Sequence, residues 1–320
     1  MARACLGATL AKALQRPSHV YFGGKIRAWD DAVLHISTEA VTRGLNVFEG
    51  VKGYWQPDGG FGFVALHRHW ERLGRSARLL HIPFTMPFEE FENACHALVR
   101  TLYRRGTNMW VRATLFVVDG HWGEGTRADL VLTAYHTPPS PPAAIPVGVS
   151  TWQRAPDLAL PCRIKTSTNY QVARLAKIEG RSRGYEEMVL LNRDGRVAEA
   201  LGSCILVVRE GRVATPPAWE GALESITVNI IERLCGSLGI PFERRPVDRS
   251  ELLIADEVAL AGTLVEVTPI TSIDEVPVAG GRMIEAIQRR YLAAVTGSEP
   301  HHAVEISARP FMAPVEEAAD

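Results

Sequence analysis

Several short stretches of this chain carry residues that can do chemistry, and none is a complete motif by itself. RIKTSTNY places Lys165 at a passage from strand to helix, with Tyr170 five positions on and no acid in the ten residues after the lysine. A lysine amine in such a setting can serve as nucleophile or proton carrier; it can equally be a solvated surface group. NRDGRVAEALGSC sets Glu199 just beyond a hairpin turn, where a lone glutamate is commonly solvated too. GALESITVNII opens an apolar-periodic helix with small and hydroxyl residues. The free N–H groups and dipole of such a helix start favour an anion, and an ordinary N-cap by Ser225 is the plainer alternative. HWERL puts Arg72 on a helix, and AGTLVEVTPI joins two strands through Gly262 and Thr263.

Other chemistries lack their signatures. There is no G-x-x-x-x-G-K-[ST], no G-x-G-x-x-G after a strand and no G-x-S-x-G, so those phosphate loops and a nucleophile elbow have no support. His67 and His69 have no second ligand cluster nearby, and no metal site is expected. Lys+Arg 35 against Asp+Glu 36 leaves a formal net charge of -1, too little excess to hold a nucleic acid. Apolar runs such as ILVV at 205–208 are far shorter than a membrane span. Five cysteines at 5, 95, 162, 204 and 235 form no close pair, which fits a reducing cytoplasm. The first twenty residues are basic and free of acids, as in a mitochondrial presequence, but Leu6, Leu10 and Leu14 recur as on one face of a docked helix.

The elements that must position these residues follow from patterning. With 46% hydrophobic and 22% charged residues in 320, the composition is that of a globular chain long enough for two domains. Beyond an extension over 1–19, a small domain over 20–136 begins with the strands VYFGGKI and AVLHIS. Two helices follow, HWERLGRSARLL and PFEEFENACHALVRTLYRRG, then strands at 109–118 and 129–136. TPPSPPAAIP, residues 137–146, has five prolines in ten and reads as the interdomain linker. A larger domain over 147–297 has strands near 147–152, 187–191, 204–208 and 257–261 and helices near 170–183, 226–238 and 282–296. Hairpin turns are expected at RDG and REG. The class is α+β, a small α/β domain beside a larger one of mostly antiparallel sheet. The tail over 298–320 is expected to be loose.

Taken in order, the segments VFEG at 47–50, HWERL at 69–73, Lys165 to Tyr170, Glu199, ALESIT at 222–227 and GTLVEVTP at 262–269 resemble one family. It is the fold-type IV pyridoxal-phosphate enzymes, with the D-amino acid aminotransferase-like architecture, and within them the branched-chain amino acid aminotransferases. The resemblance covers roughly 20–297. It implies pyridoxal 5'-phosphate as cofactor, an amino acid and a 2-oxo acid as substrates of a ping-pong cycle, and a homodimer. It also implies roles: Lys165 carries the cofactor and moves the proton, Tyr170 bonds its phenolic oxygen and Glu199 pairs with its ring nitrogen. Arg72, Ile226, Thr227 and Thr263 would hold the phosphate. Phe48, Arg43, Trp110, Arg112, Trp152, Thr263 and Leu264 would line the substrate pocket, with Arg112 receiving the acidic acceptor.

The chain departs from the family pattern in three places. EALGSC replaces an E-G-x-x-E-N stretch, so Ser203 and Cys204 stand for an acid and an asparagine; LESIT replaces L-P-G-I-T, bringing Glu224 and Ser225; and Arg43 replaces a tyrosine. An arginine there would favour acidic or bulky polar substrates if it faces the site. The rivals are a lyase of the aminodeoxychorismate type, an (R)-amine or D-amino acid transaminase, and a dimeric protein that kept the fold without the chemistry. VFEG, Trp152 and the Arg112 strand favour the branched-chain side.

Overall fold

A computed structural model describes residues 15–311; the leucine spacing at 6, 10 and 14 lies outside them. The first part of the chain contains β1 (His19–Phe22), β2 (Lys25–Ala28), α1 (Glu39–Thr42), β3 (Asn46–Trp55), β4 (Phe61–Val64), α2 (Leu66–Leu79), α3 (Phe88–Thr101), β5 (Asn108–His121) and β6 (Glu124–Thr137). The second part begins with β7 (Ile145–Gln153), α4 (Tyr170–Ser182), β8 (Glu187–Leu191), β9 (Val197–Ala200), β10 (Cys204–Arg209), β11 (Arg212–Thr215), α5 (Ile226–Ser237) and β12 (Phe242–Arg244). It ends with α6 (Arg249–Leu253), β13 (Glu257–Gly262), β14 (Glu266–Ile273), β15 (Val276–Pro277), α7 (Arg282–Val295) and β16 (Ile306–Arg309).

The small domain is a seven-stranded antiparallel sheet in the order β16-β4-β3-β5-β6-β1-β2. Side chains alternate across a strand, and the register uses this to make two different faces. Val47, Glu49 and Val51 on β3 stand opposite Leu115, Ala113 and Val111 on β5, and the apolar ones among them join the core under α2 and α3. Phe48, Gly50 and Lys52 stand opposite Thr114, Arg112 and Trp110 on the other face, which looks toward the large domain. A Cβ at Gly50 would lie 2.6 Å from the Trp110 indole nitrogen, so the absence of a side chain there lets the ring lie on β3.

The large domain is a nine-stranded mixed sheet, β12-β11-β10-β13-β14-β7-β8-β9 with β15 beside β14, in which most pairings are antiparallel. Leu206, Val208, Ala259 and Ala261 face the cluster that α5 and α7 cover, while Ile205, Val207, Val258 and Leu260 face a second cluster on the opposite side. Burial on both faces is why β10 reads as a continuous apolar run and not as an alternating one. Among the contacts between the domains is a buried carboxylate: Glu266 Oε1 accepts from Lys52 Nζ at 2.6 Å and from the Tyr54 hydroxyl at 2.7 Å.

The expected helices fall where the periodicity places them, but other expectations change. AVLHIS forms no strand; Val33 and Ile36 are exposed, and the partner of β1 is β2, folded back around Gly23 and Gly24 within VYFGGKI. The strands expected at 109–118 and 129–136 extend into one long hairpin, because the polar, glycine-bearing segment between them continues the pairing to a turn at Trp122 and Gly123. The tail is not loose throughout. Residues Ile306–Arg309 return to the small domain as its edge strand, and Arg309 bonds Asn93 and Glu92 on α3.

Beneath the small sheet lies a fully buried acid. Glu49 accepts from Arg72 Nε at 2.6 Å and Nη2 at 2.9 Å, and its second oxygen is 2.7 Å from His69 Nδ1. Burial alone would raise the Glu49 carboxyl, but the Arg72 charge and hydrogen bonds, helped by His69, hold it far below the ordinary carboxylate range. For His69, burial outweighs the adjacent carboxylate and lowers the ring's pKa, so the ring stays neutral. Glu49→Gln, which strands the Arg72 charge, is expected to cost about 3–5 kcal/mol in denaturant unfolding. Both shifts are downward, so the unfolded chain takes up protons that the fold refuses. Stability should therefore fall from about pH 6.5 downward and further below about pH 4. The second part of that fall should be smaller in Glu49→Gln when unfolding midpoints are followed against pH, since Glu92, Glu179 and Glu251 are also held low.

Candidate active site

Lys165 sits on a segment pinned from several sides. Asn169 Nδ2 donates to the carbonyls of Pro161 and Ile164 at 3.0 and 2.9 Å, closing the turn that precedes α4. The Lys165 N–H donates to Ser76 Oγ on α2 at 3.1 Å, and its carbonyl accepts from Phe48 N–H on β3 at 2.8 Å. The side chain then has a fixed origin. Its Nζ is 2.9 Å from the Tyr170 hydroxyl and 4.9 Å from the centre of the Phe48 ring. Arg112 lies over the same ring at 3.8 Å and donates to Thr114 Oγ1 at 3.3 Å. Burial lowers the Arg112 pKa, and no carboxylate pairs with it among the described residues. A half-buried guanidinium without an anion is a ready partner for a substrate carboxylate.

A second group of donors gathers at the start of α5. Arg72, with two nitrogens taken by Glu49, uses Nη1 to donate to the Glu224 carbonyl at 2.7 Å. Ser225 caps the helix by accepting from Val228 N–H at 3.2 Å, so the capping alternative holds for Ser225 itself. The N–H groups of Ile226 and Thr227 have no acceptor among the described residues. Open amides at the head of a 12-residue helix, beside a guanidinium, suit an anion. Thr263 lies half-buried on the turn after β13, next to Gly262, which packs on Ser203.

Between these two groups stands Glu199. One oxygen accepts from Leu223 N–H at 2.9 Å, and the other is 3.2 Å from Arg154 Nε. Arg154 also donates to the carbonyls of Asn169 and Gly221 at 3.0 and 3.3 Å, so one buried arginine joins the Lys165–Tyr170 segment, the loop before α5 and the glutamate. Cys204, where the family has asparagine, stays a neutral thiol: burial, with Glu199 nearby, pushes it up to about 12. The Ser203 hydroxyl is buried and has no partner among the described residues.

This donor set fits pyridoxal phosphate. An amine and a phenol stand together, a carboxylate is held by an arginine for a ring nitrogen, and an arginine with open helix amides can take a phosphate. The unpartnered Ser203 hydroxyl marks a place where a polar group can still be received. Lys165, Tyr170, Phe48, Arg112, Arg72, Glu199, Ile226 and Thr227 are thus gathered around the Lys165 segment and the start of α5, joined through Arg72 and Arg154.

Other candidates stand apart. Arg43 pairs with Glu39 and lies 4.6 Å over the Trp122 ring at the hairpin tip, so within this chain it belongs to the rim. Trp152 is 45% exposed, and no hydrogen bond or ring contact among the described residues joins it to Lys165, Tyr170 or Phe48. Leu264 is exposed beside Thr263, whereas Trp110 lies on the sheet face of Phe48 and Arg112, tilted against Tyr135 with 5.8 Å between ring centres. Sequence reasoning missed Glu49, Arg154 and the Lys52–Glu266 pair. Glu49 stood inside VFEG, yet nothing in one sequence marks it as buried; Arg154, in QRAP after a strand, carries no motif.

Residues 46–273 match the family described as Amino-transferase class IV. Over 296 residues the chain is 31% identical to the branched-chain-amino-acid aminotransferase of Escherichia coli (strain K12), covering 88% of this chain and 94% of that protein. It superposes on the branched-chain aminotransferase from Thermoproteus uzoniensis with norvaline at a TM-score of 0.83 and 29% identity, covering 88% and 96% of the two chains. For the branched-chain amino acid aminotransferase from Thermobaculum terrenum in its PLP form the values are 0.82 and 30%, over 91% and 98%. Sequence, fold and the donor set around Lys165 agree, and the chain belongs to the class IV aminotransferases, fold-type IV transaminases that work with pyridoxal phosphate.

Proposed function

We propose that this transaminase moves an amino group between a branched-chain type amino acid and a 2-oxo acid in a two-step ping-pong cycle, with Lys165 as its catalytic residue. The observation that carries the reading is the Lys165 amine held 2.9 Å from the Tyr170 hydroxyl and 4.9 Å from the centre of the Phe48 ring, which Arg112 also covers. Pyridoxal phosphate, when bound, supplies an electron sink for the charge left as the substrate α-proton departs. Lys165 would hold the cofactor, and its amine would carry that proton. Tyr170 orients the amine. Glu199 presents a carboxylate whose position is set by Arg154 and Leu223, so that a protonated ring nitrogen is favoured opposite it. Arg72 and the amides of Ile226 and Thr227 bind phosphate, with Thr263 at the flank, and Arg112 binds a substrate carboxylate.

Phe48, Gly50 and Trp110 give the pocket wall an apolar character suited to an aliphatic side chain. With Arg43 paired to Glu39 at the rim, a preference for acidic donors has less support than a branched-chain one. Exposed Val33, Ile36 and Trp122 support a homodimer. No helix among the described residues is long and apolar enough to cross a membrane, and four buried cysteines there are free, which supports a cytoplasmic setting.

Lys165→Ala should lose the borohydride-trapped cofactor adduct while keeping the oligomer; peptide mass that maps the adduct to Lys177 or Lys52 overturns the assignment. Glu199→Gln should lower kcat by about 100- to 1,000-fold with KM little changed in steady-state assays, whereas a loss confined to KM would place Glu199 at the substrate. Single amino acids mixed with the holoenzyme should change the cofactor spectrum fastest for leucine, isoleucine or valine. A spectrum that responds only to D-amino acids or amines, or pyruvate release without an amino acceptor, would favour the rivals.

A further inference from the structure

Glu224 places an acid immediately before the cap of the helix whose open amides face the phosphate end of the cleft. Its backbone and side chain part company. The carbonyl turns inward to Arg72, while the carboxylate turns outward and accepts from Arg163 Nε at 3.0 Å. Both side chains are half in water, with relative exposures of 41% for Arg163 and 51% for Glu224, and they border a cavity of about 200 Å3 behind Leu223. Arg163 is two residues before Lys165, and Glu224 is in the loop whose Leu223 N–H holds Glu199. The pair therefore spans from the lysine segment to the head of α5.

Charge at this end of the cleft is closely balanced. Arg72 is offset by Glu49, and His69 is neutral, so neither adds a free positive charge. A phosphate carrying about two negative charges then depends on the helix amides and on there being no unpaired acid close by. Coulomb repulsion from a freed Glu224 would act across a partly solvated gap and would be screened by salt. The bond with Glu224 raises the Arg163 pKa, and it is the closer of two acid contacts, since Arg163 Nη1 also lies 3.5 Å from Asp157 Oδ1.

We propose that Arg163 is a positioning residue that turns the Glu224 carboxylate away from the phosphate and cancels its charge, so that the acid before the α5 cap does not weaken retention of the cofactor. This rests on the functional reading above, which places the phosphate at α5. The test is the Kd of pyridoxal phosphate and its release rate from the holoenzyme, both followed by cofactor absorbance. Arg163→Ala should raise Kd about three- to tenfold at low salt, and the defect should shrink as salt is added. Glu224→Gln alone should bind equally well or more tightly, and the double variant R163A/E224Q should return to the parent Kd. An unchanged Kd in Arg163→Ala overturns the proposal. So does a double variant as weak as Arg163→Ala, since Arg163 would then grip the phosphate itself. A parent protein that takes up no pyridoxal phosphate would instead sink the functional reading, which keeps the two failures distinct.

Discussion

The carboxylate of Glu49, closed off from water between β3 and α2, fixes Arg72, the arginine proposed to hold the phosphate. Two guanidinium nitrogens go to Glu49, so the plane of Arg72 is set before any ligand arrives, and Nη1 is left pointing across the domain boundary to the loop before α5. An ion pair of this kind adds little net stability over an apolar replacement, because desolvation consumes most of the attraction. Its value is geometric. With one partner gone, the other charge has no solvent to turn to, and the cost becomes several kcal/mol.

The same logic recurs at lower stakes through the cleft. Arg154 spends its donors on Glu199 and on two loop carbonyls, so the glutamate and the segments around it move as one piece. Glu266 does the equivalent across the domains, and it does so from a left-handed backbone conformation, φ +54°, that costs a non-glycine residue about 1–3 kcal/mol. Two hydrogen bonds to one buried oxygen offset that strain. By contrast, a half-solvated pair such as Arg163 and Glu224 is worth about 1 kcal/mol or less to folding. Rigid geometry comes from the buried pairs, and the exposed pair tunes local charge.

Reading the sequence located the helices and singled out candidate residues, because both leave local traces: periodicity for α2, α3, α4, α5 and α7, and ordered spacing from Lys165 to Tyr170. It also told the family, since Arg72, Lys165, Tyr170 and Glu199 occur together. What it could not carry is burial. Glu49, Arg154, Lys52 and Glu266 look like surface charges in one dimension and become interior only when distant strands pair. AVLHIS had strand composition without a partner edge, and Ile306–Arg309 had a partner edge without being recognised. Arg43 shows the opposite limit: position in a motif suggested the pocket, while within this chain the side chain pairs with Glu39 and lies over Trp122.

The return of β16 to the small domain bears on how the chain is made. The strand it covers, β4, holds Phe61 and Phe63, yet its outer edge is completed only after the whole large domain has been synthesised. At about 5–20 residues per second, that edge stays open on the ribosome for roughly tens of seconds. An unpaired apolar edge is a template for pairing with the wrong strand. The domain that emerges first is therefore the last to be sealed, and nascent chains are most exposed to aggregation at β4, where a chaperone would have most to protect.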